Sequence, residues 1–253
     1  VEPWGKGAGM PVAYLDGEMR AIGFQRRLRL LHARNSDEAS IRRVNQNLHI
    51  ISRDYAEDVI GSIDQVEGQQ RIDALIPDDT QLIVVDNLSA WTSGGREDGG
   101  SWATIKAWLI AKRLQGTSVL LVHHTGKNGK QRGSSAHEDL LDFSILLSPL
   151  PSNEGQQDTR FTVDHTKLRD HIPRLKSRYE FTIYTEDEKL FFESMPAGMR
   201  VSEHAKEMLA MHLKNVPMSV IAEKYQVNKS TVSRAIQKLK ELAASQAQDL
   251  AVA

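Results

Sequence analysis

Residues 82–91 read LIVVDNLSAW: an unbroken apolar run that ends on Asp86. A continuous run without alternation is expected of a strand covered on both faces, as in a parallel sheet. The pattern recurs on either side. Upstream, VAYLD (Val12–Asp16) runs into Gly17 and Glu18; downstream, SVLLV (118–122) reads as another buried strand and runs into His123 and His124. Leu48–Ser52 is a further short strand. Helical spacing fills the intervals. Phe24, Leu28 and Leu31 fall on one face. Gln65–Ile76 reads as a helix stopped by Pro77. Thr92–Gly100, rich in glycine, reads as a loop. Ser101 then caps a helix with Trp102, Ile105 and Leu109 inward and Gly116 at its end. Strands alternating with helices predict an α/β fold, a doubly wound and mainly parallel sheet with right-handed crossovers.

The second half changes character. Strands are predicted near Phe143–Leu147, Phe161–His165, Tyr179–Tyr184 and Leu190–Glu193 with no helices between them, so they should run antiparallel. The organisation expected is a core over 1–194, a linker over 195–200 holding Pro196 and Gly198, a small all-α module over 201–242, and a polar, alanine-rich tail over 243–253 that frays. No internal repeat is visible.

With 253 residues, 40% of them hydrophobic and 26% charged, the chain can bury a sizeable core. Its formal net charge of −1 excludes a polycation, so any nucleic-acid contact must come from a local basic patch. The absence of cysteine excludes disulfides and thiolate-held zinc and fits a reducing, cytoplasmic setting. No apolar run approaches the roughly 20 residues that span a bilayer, so no membrane partner is expected.

In an open α/β sheet, ligands bind beyond the carboxyl ends of the strands. Three strands here end on reactive groups: Glu18, Asp86, and the pair His123–His124. A nucleotide hydrolase needs such a set, with one carboxylate to orient magnesium, one to polarise water and a polar group to feel the γ-phosphate. Each residue also has a simpler explanation. Asp86 can cap the next turn, Glu18 can sit at a helix start where the dipole favours it, and His124 can be a satisfied histidine at a strand end. The set, in this order, favours function.

The stretches AYLDGEM (Ala13–Met19), LIVVDNLSAW (Leu82–Trp91), SWATIKAWL (Ser101–Leu109) and VLLVHHTGKNGKQRGSSAHEDLLD (Val119–Asp142) resemble the RecA-like ATPase core of RepA-type and DnaB-type hexameric replicative helicases, most of all the RepA-like relatives of plasmids, phages and mobile elements. The resemblance implies a P-loop NTPase fold that uses ATP and magnesium. It implies that Glu18 activates water, that Asp86 acts on magnesium through water, and that His124, with His123 beside it, links the γ-phosphate to DNA-binding loops. It also implies that Lys127, Lys130 and Arg132, in the loop 126–135, meet single-stranded DNA; the alternative is a solvated loop. Lys167 and Arg169 stand two apart at a strand end, where alternate residues point the same way. They resemble paired fingers acting on a neighbour's ATP, which requires a homo-oligomer such as a hexameric ring; the alternative is a solvated charge cluster.

The phosphate-binding pattern G-x-x-x-x-G-K-[ST] does not occur. Trp4-Gly5-Lys6-Gly7 departs from it, since Gly7 follows the lysine. The chain opens on Val1. The expectation is a fragment of a longer ATPase that does not turn over ATP, or hold it tightly, by itself; a natural truncated relative is the alternative.

The C-terminal segment reads as three helices, Ser202–Leu213, Met218–Tyr225 and Ser230–Leu242, with Val232, Ile236 and Leu239 at core spacing. The turn at Val227-Asn228 followed by STVSR is similar to the helix-turn-helix of bacterial regulators. Over 216–242, Lys224, Lys229, Arg234, Lys238 and Lys240 outnumber Glu223 and Glu241. Lys229, Ser230, Thr231, Ser233 and Arg234 are the expected contacts to duplex DNA; a protein-contact module is the alternative. Two functions follow: a RepA-like helicase ATPase acting on DNA, or a non-hydrolysing, DNA-binding oligomeric scaffold or regulator. A RecA-like recombinase fits the motifs less well.

Overall fold

A computed structural model describes residues 4, 9–34, 37–93, 99–125, 140–151, 158–197, 203–225, 227–237 and 239–240. Among the described residues, two four-stranded sheets organise the first two hundred positions. The first is wholly parallel, in the order β2 (Leu48–Ser52), β1 (Val12–Asp16), β3 (Leu82–Asp86), β4 (Ser118–Leu121). Chain direction across the sheet therefore reverses between β1 and β3. Right-handed crossovers put α1 (Ala21–Arg34) and α2 (Glu38–Asn47) on one face. They put α3 (Arg53–Ile60), α4 (Val66–Leu75) and α5 (Gly99–Leu114) on the other.

The strands follow from where their apolar residues go. Ala13 and Leu15 of β1, with Ile83 and Val85 of β3, turn to the α3–α5 face and are buried there against Ile60, Ile63, Ile72, Trp102, Ile105 and Trp108. Each leucine, isoleucine or valine side chain so removed from water contributes about 1.5–3 kcal/mol. Val84 is buried on the opposite face, so β3 is covered on both sides as its unbroken apolar run requires. Gln69 of α4 donates to the Thr104 carbonyl of α5 (3.2 Å), and the Trp108 indole of α5 donates to Asp73 of α4 (3.0 Å). The turn from α3 into α4 closes so tightly that a Cβ on Gly68 would lie 2.0 Å from the Ser62 carbonyl oxygen.

Several expectations change. Helix α5 begins at Gly99, so Ser101 lies inside its first turn and does not cap it, and Gly99 and Gly100 belong to the helix, not to a loop. Strand β4 is covered on one face only: Val119 and Leu121 pack against the core, while Leu120 is 38% exposed and Val122, just past the strand, 37%. Helices α2 and α3 were not legible in the pattern. Helix α2 buries no side chain; Asp37 caps it by accepting from Ala39 N and Ser40 N, and Glu38 pairs with Arg42 one turn on (3.2 Å). Helix α3 has eight residues, capped by Ser52 and ended by Gly61 at φ 77°.

The second sheet is the expected antiparallel meander, β5 (Phe143–Leu150), β6 (Asp158–Leu168), β7 (Tyr179–Glu186) and β8 (Lys189–Pro196). Asp187 and Glu188, both at positive φ, make the two-residue turn that suits a twisted hairpin. Strand β8 continues through Met195 and Pro196 and meets α1. Beyond it, α6 (Glu203–Leu213), α7 (Met218–Lys224) and α8 (229–237) enclose Met208, Ile221, Ala222, Val232 and Ile236. Leu239 is half-buried. The loop 126–135 and the tail 243–253 lie outside the described residues.

Candidate site at the carboxyl edge of the parallel sheet

Beyond the carboxyl ends of β1 and β3, where chain direction reverses, Asp16 and Asp86 are register neighbours. Each holds a different element. Asp16 is 2% exposed; one carboxylate oxygen accepts from Met19 N (3.1 Å), and the other accepts from Ser52 Oγ on β2 (3.3 Å). It thus bends the chain sharply after β1 and lifts Glu18 above the sheet edge. Gly17 N donates to the Asp86 carbonyl (2.7 Å), pinning the same bend to β3. A Cβ on Gly17 would lie 2.6 Å from Ala90 Cβ and 2.9 Å from Trp91 Nε1, so no other residue fits the turn undisturbed.

Trp91 backs this bend from inside the core. Its indole donates to the Leu15 carbonyl (3.1 Å), and the Arg53 guanidinium stacks 5.0 Å over its ring while donating to the carbonyls of Ala90 and Gly61. The Tyr14 hydroxyl, on the α1 face of β1, donates to the Asp86 carboxylate, and its ring packs against Phe24. Burial, followed by the bond to Asp86, raises the Tyr14 pKa and keeps it a donor.

The chain after β4 crosses back over the site. Val122 N donates to the Val85 carbonyl and Leu88 N to the Val122 carbonyl, both 2.9 Å. This brings His124 to Glu18: Nε2 lies 3.0 Å from Glu18 Oε1, across 106 positions of sequence. Asn87, 1% exposed, stands at the same nitrogen, with Nδ2 3.0 Å from it. The Glu18 pKa is lowered, first by the hydrogen bond from His124 and then by one from Asn87, with burial opposing. His123 is half-buried beside them.

Glu18, Asp86 and His124 thus occupy neighbouring strand ends. Lys167 lies near the end of β6, and Arg169 just beyond it is tied to its own chain, Nε 3.5 Å from Asp142 Oδ1 and backbone N 2.8 Å from the Asp142 carbonyl. Lys127, Lys130 and Arg132 fall outside the described residues. Lys229, Ser230, Thr231, Ser233 and Arg234 are all exposed on α8, where Arg234 Nε donates to the Ser230 carbonyl (3.2 Å). Among the described residues, no three His, Asp or Glu side chains converge as a metal-binding set. No helix among them is long and apolar enough to cross a membrane.

Sequence reasoning missed Tyr14, Asp16, Ser52, Asn87 and Trp91. Two signals were available. Tyr14 and Asp16 are two apart on the strand that carries Glu18, and Asn87 directly follows the strand-ending Asp86.

The parallel sheet is doubly wound and carries acidic strand ends at its switch point, the place where open α/β sheets bind ligands. The chain belongs to the AAA domain family AAA_25, whose model matches residues 1–130. A solved structure of a KaiC-like protein from the hyperthermophilic archaeon Pyrococcus horikoshii OT3 is similar at 14% identity and a TM-score of 0.45, over 73% of this chain and 76% of that one. No curated protein sequence matches the chain.

Proposed function

We propose that this chain is the core of a DNA-acting ATPase of the RepA-like replicative helicase type, in which ATP hydrolysis by the complete protein drives unwinding or translocation. The observation that carries the reading is the grouping of Glu18, Asp86 and His124 at the ends of neighbouring parallel strands, in a chain of the AAA domain family. Glu18 is half-exposed, ionised and reachable by water, as a general base must be. Asp86 presents a carboxylate oriented by Tyr14, a hard oxygen ligand of the kind that holds magnesium through water. Bound there, magnesium would neutralise charge on the transferred phosphoryl group. His124 touches Glu18 and can relay the state of the site to the chain that follows it.

The DNA side of the reading rests on cations. Lys229 and Arg234, with Ser230, Thr231 and Ser233 between them, lie exposed in the first turns of α8, the part of such a helix that enters a major groove. Lys127, Lys130 and Arg132 are assigned to single-stranded DNA, where cations contact phosphates without reading sequence. Lys167 and Arg169 are assigned to a neighbouring subunit's nucleotide in a ring; Arg169 would exchange Asp142 for phosphate.

Two measurements test this. Calorimetry of an ATP analogue against the chain, with and without magnesium, reads binding directly. Turnover of the complete protein should fall by about 10²–10⁴-fold on Glu18→Gln. Turnover that survives this change removes Glu18 as the base. Duplex binding without any magnesium-dependent turnover supports the non-hydrolysing scaffold instead.

A further inference from the structure

His124 Nε2 has two neighbours with opposite demands. Asn87 Nδ2 lies 3.0 Å away and Glu18 Oε1 lies 3.0 Å away. The Asn87 amide is not free to turn over, because its Oδ1 accepts from Ala90 N (3.0 Å), a group that can only donate. Asn87 therefore offers His124 a hydrogen, while Glu18 offers it a lone pair. A neutral imidazole nitrogen either carries a hydrogen or accepts one, so it serves one neighbour at a time.

Two arrangements follow. With the hydrogen on Nδ1, Nε2 accepts from Asn87 and the Glu18 carboxylate loses its histidine donor. With the hydrogen on Nε2, His124 donates to Glu18. The Glu18 carboxylate is then held by the imidazole N–H. A carboxylate that holds such a donor is a weaker base than one without it.

We propose that Asn87 is a positioning residue that sets the tautomer of His124 and so decides whether the Glu18 carboxylate is held or released. The consequence for turnover rests on the reading of Glu18 as the base; the tautomer relationship does not. Asn87 acts on Glu18 chiefly through His124, and its burial fixes the donor in place while the two residues it arbitrates remain half-exposed or more.

The test is nitrogen NMR of the His124 imidazole in this chain, at a pH where the ring is neutral. Asn87→Asp keeps an acceptor for Ala90 N but exchanges the donor for an acceptor, and should shift His124 toward the Nε2–H tautomer by roughly fivefold, what one net hydrogen bond supplies. Glu18→Ala, at an exposed position, should shift it the opposite way by a similar factor. If Asn87→Asp does not fold, the Glu18→Ala arm decides alone: a ring that stays Nε2–H without Glu18 is not accepting from Asn87, and the proposal falls. Equal tautomer populations in all three proteins also overturn it. In the complete ATPase, Asn87→Asp should lower kcat and leave KM unchanged. A tautomer shift with no kcat change would count against Glu18 as the base and not against the His124–Asn87 relationship.

Discussion

The Tyr14 hydroxyl and the Asp86 carboxylate are joined across β1 and β3 by a hydrogen bond on the face that α1 covers. Strand register brings them together: Asp16 sits opposite Asp86, so a long side chain two residues earlier on the same face reaches forward to the strand end. Tyr14→Phe keeps the ring on Phe24 and removes only the donor. The change should cost about 1.5–3 kcal/mol, the range for a hydrogen bond to a charged group, read as a lower midpoint in urea at unchanged slope. An unchanged midpoint would show that the bond is replaced by water.

Gly17→Ala should be among the most damaging small substitutions in the chain. Its methyl would sit 2.6 Å from Ala90 Cβ, and neither Ala90 nor the buried Trp91 has a flexible end to move. Overpacking of this kind costs about 1–3 kcal/mol. The displaced bend also moves Glu18, so the contact with His124 should weaken with it. Unfolding by denaturant reads the first effect, and the Glu18 pKa moving back up toward its ordinary value reads the second.

Asp73→Ala should destabilise the α4–α5 packing by about 1–3 kcal/mol in thermal or chemical unfolding. Asp73 accepts from the Trp108 indole and sits 2.9 Å from Lys112 Nζ, whose side chain is only 9% exposed. Gln115 offers that ammonium one longer contact (3.4 Å), which keeps the loss below that of a stranded buried charge. Replacing Lys112 by Met as well should recover part of the stability.

Acid should erase what the Glu18–His124 contact contributes. Folding lowers the Glu18 pKa below its ordinary value of 4.5, so the contribution is present above that value and is lost as pH falls through the folded value. Glu18→Gln has no such term. The stability difference between the two proteins should therefore close as pH drops below the ordinary carboxylate range, and a gap that persists in acid would count against the contact.

Much of the site was legible because the signal was local. Apolar runs of four or five residues ending on Asp86, on Asp16-Gly17-Glu18 and on His123-His124 mark strands and what they deliver, since side-chain placement on an extended segment needs only its own neighbours. The antiparallel meander was read from the absence of intervening helices. Helix α2, which buries nothing, left no stripe to find. The exposed face of β4 could not be foreseen either, because an apolar run states that a strand prefers burial and does not state which neighbours supply it.

By itself the sequence determined which segments are strands, that the first sheet is parallel, and which acids and histidines end its strands. Tertiary structure alone decided that Asn87 and Glu18 compete for one nitrogen of His124, that Tyr14 orients Asp86, and that Trp91 locks the bend at Gly17. Those relationships depend on strand order and register, which bring residues from distant parts of the chain within 3 Å or so of one another. Register is set by the burial of whole faces, a property of the assembled sheet and of no single stretch.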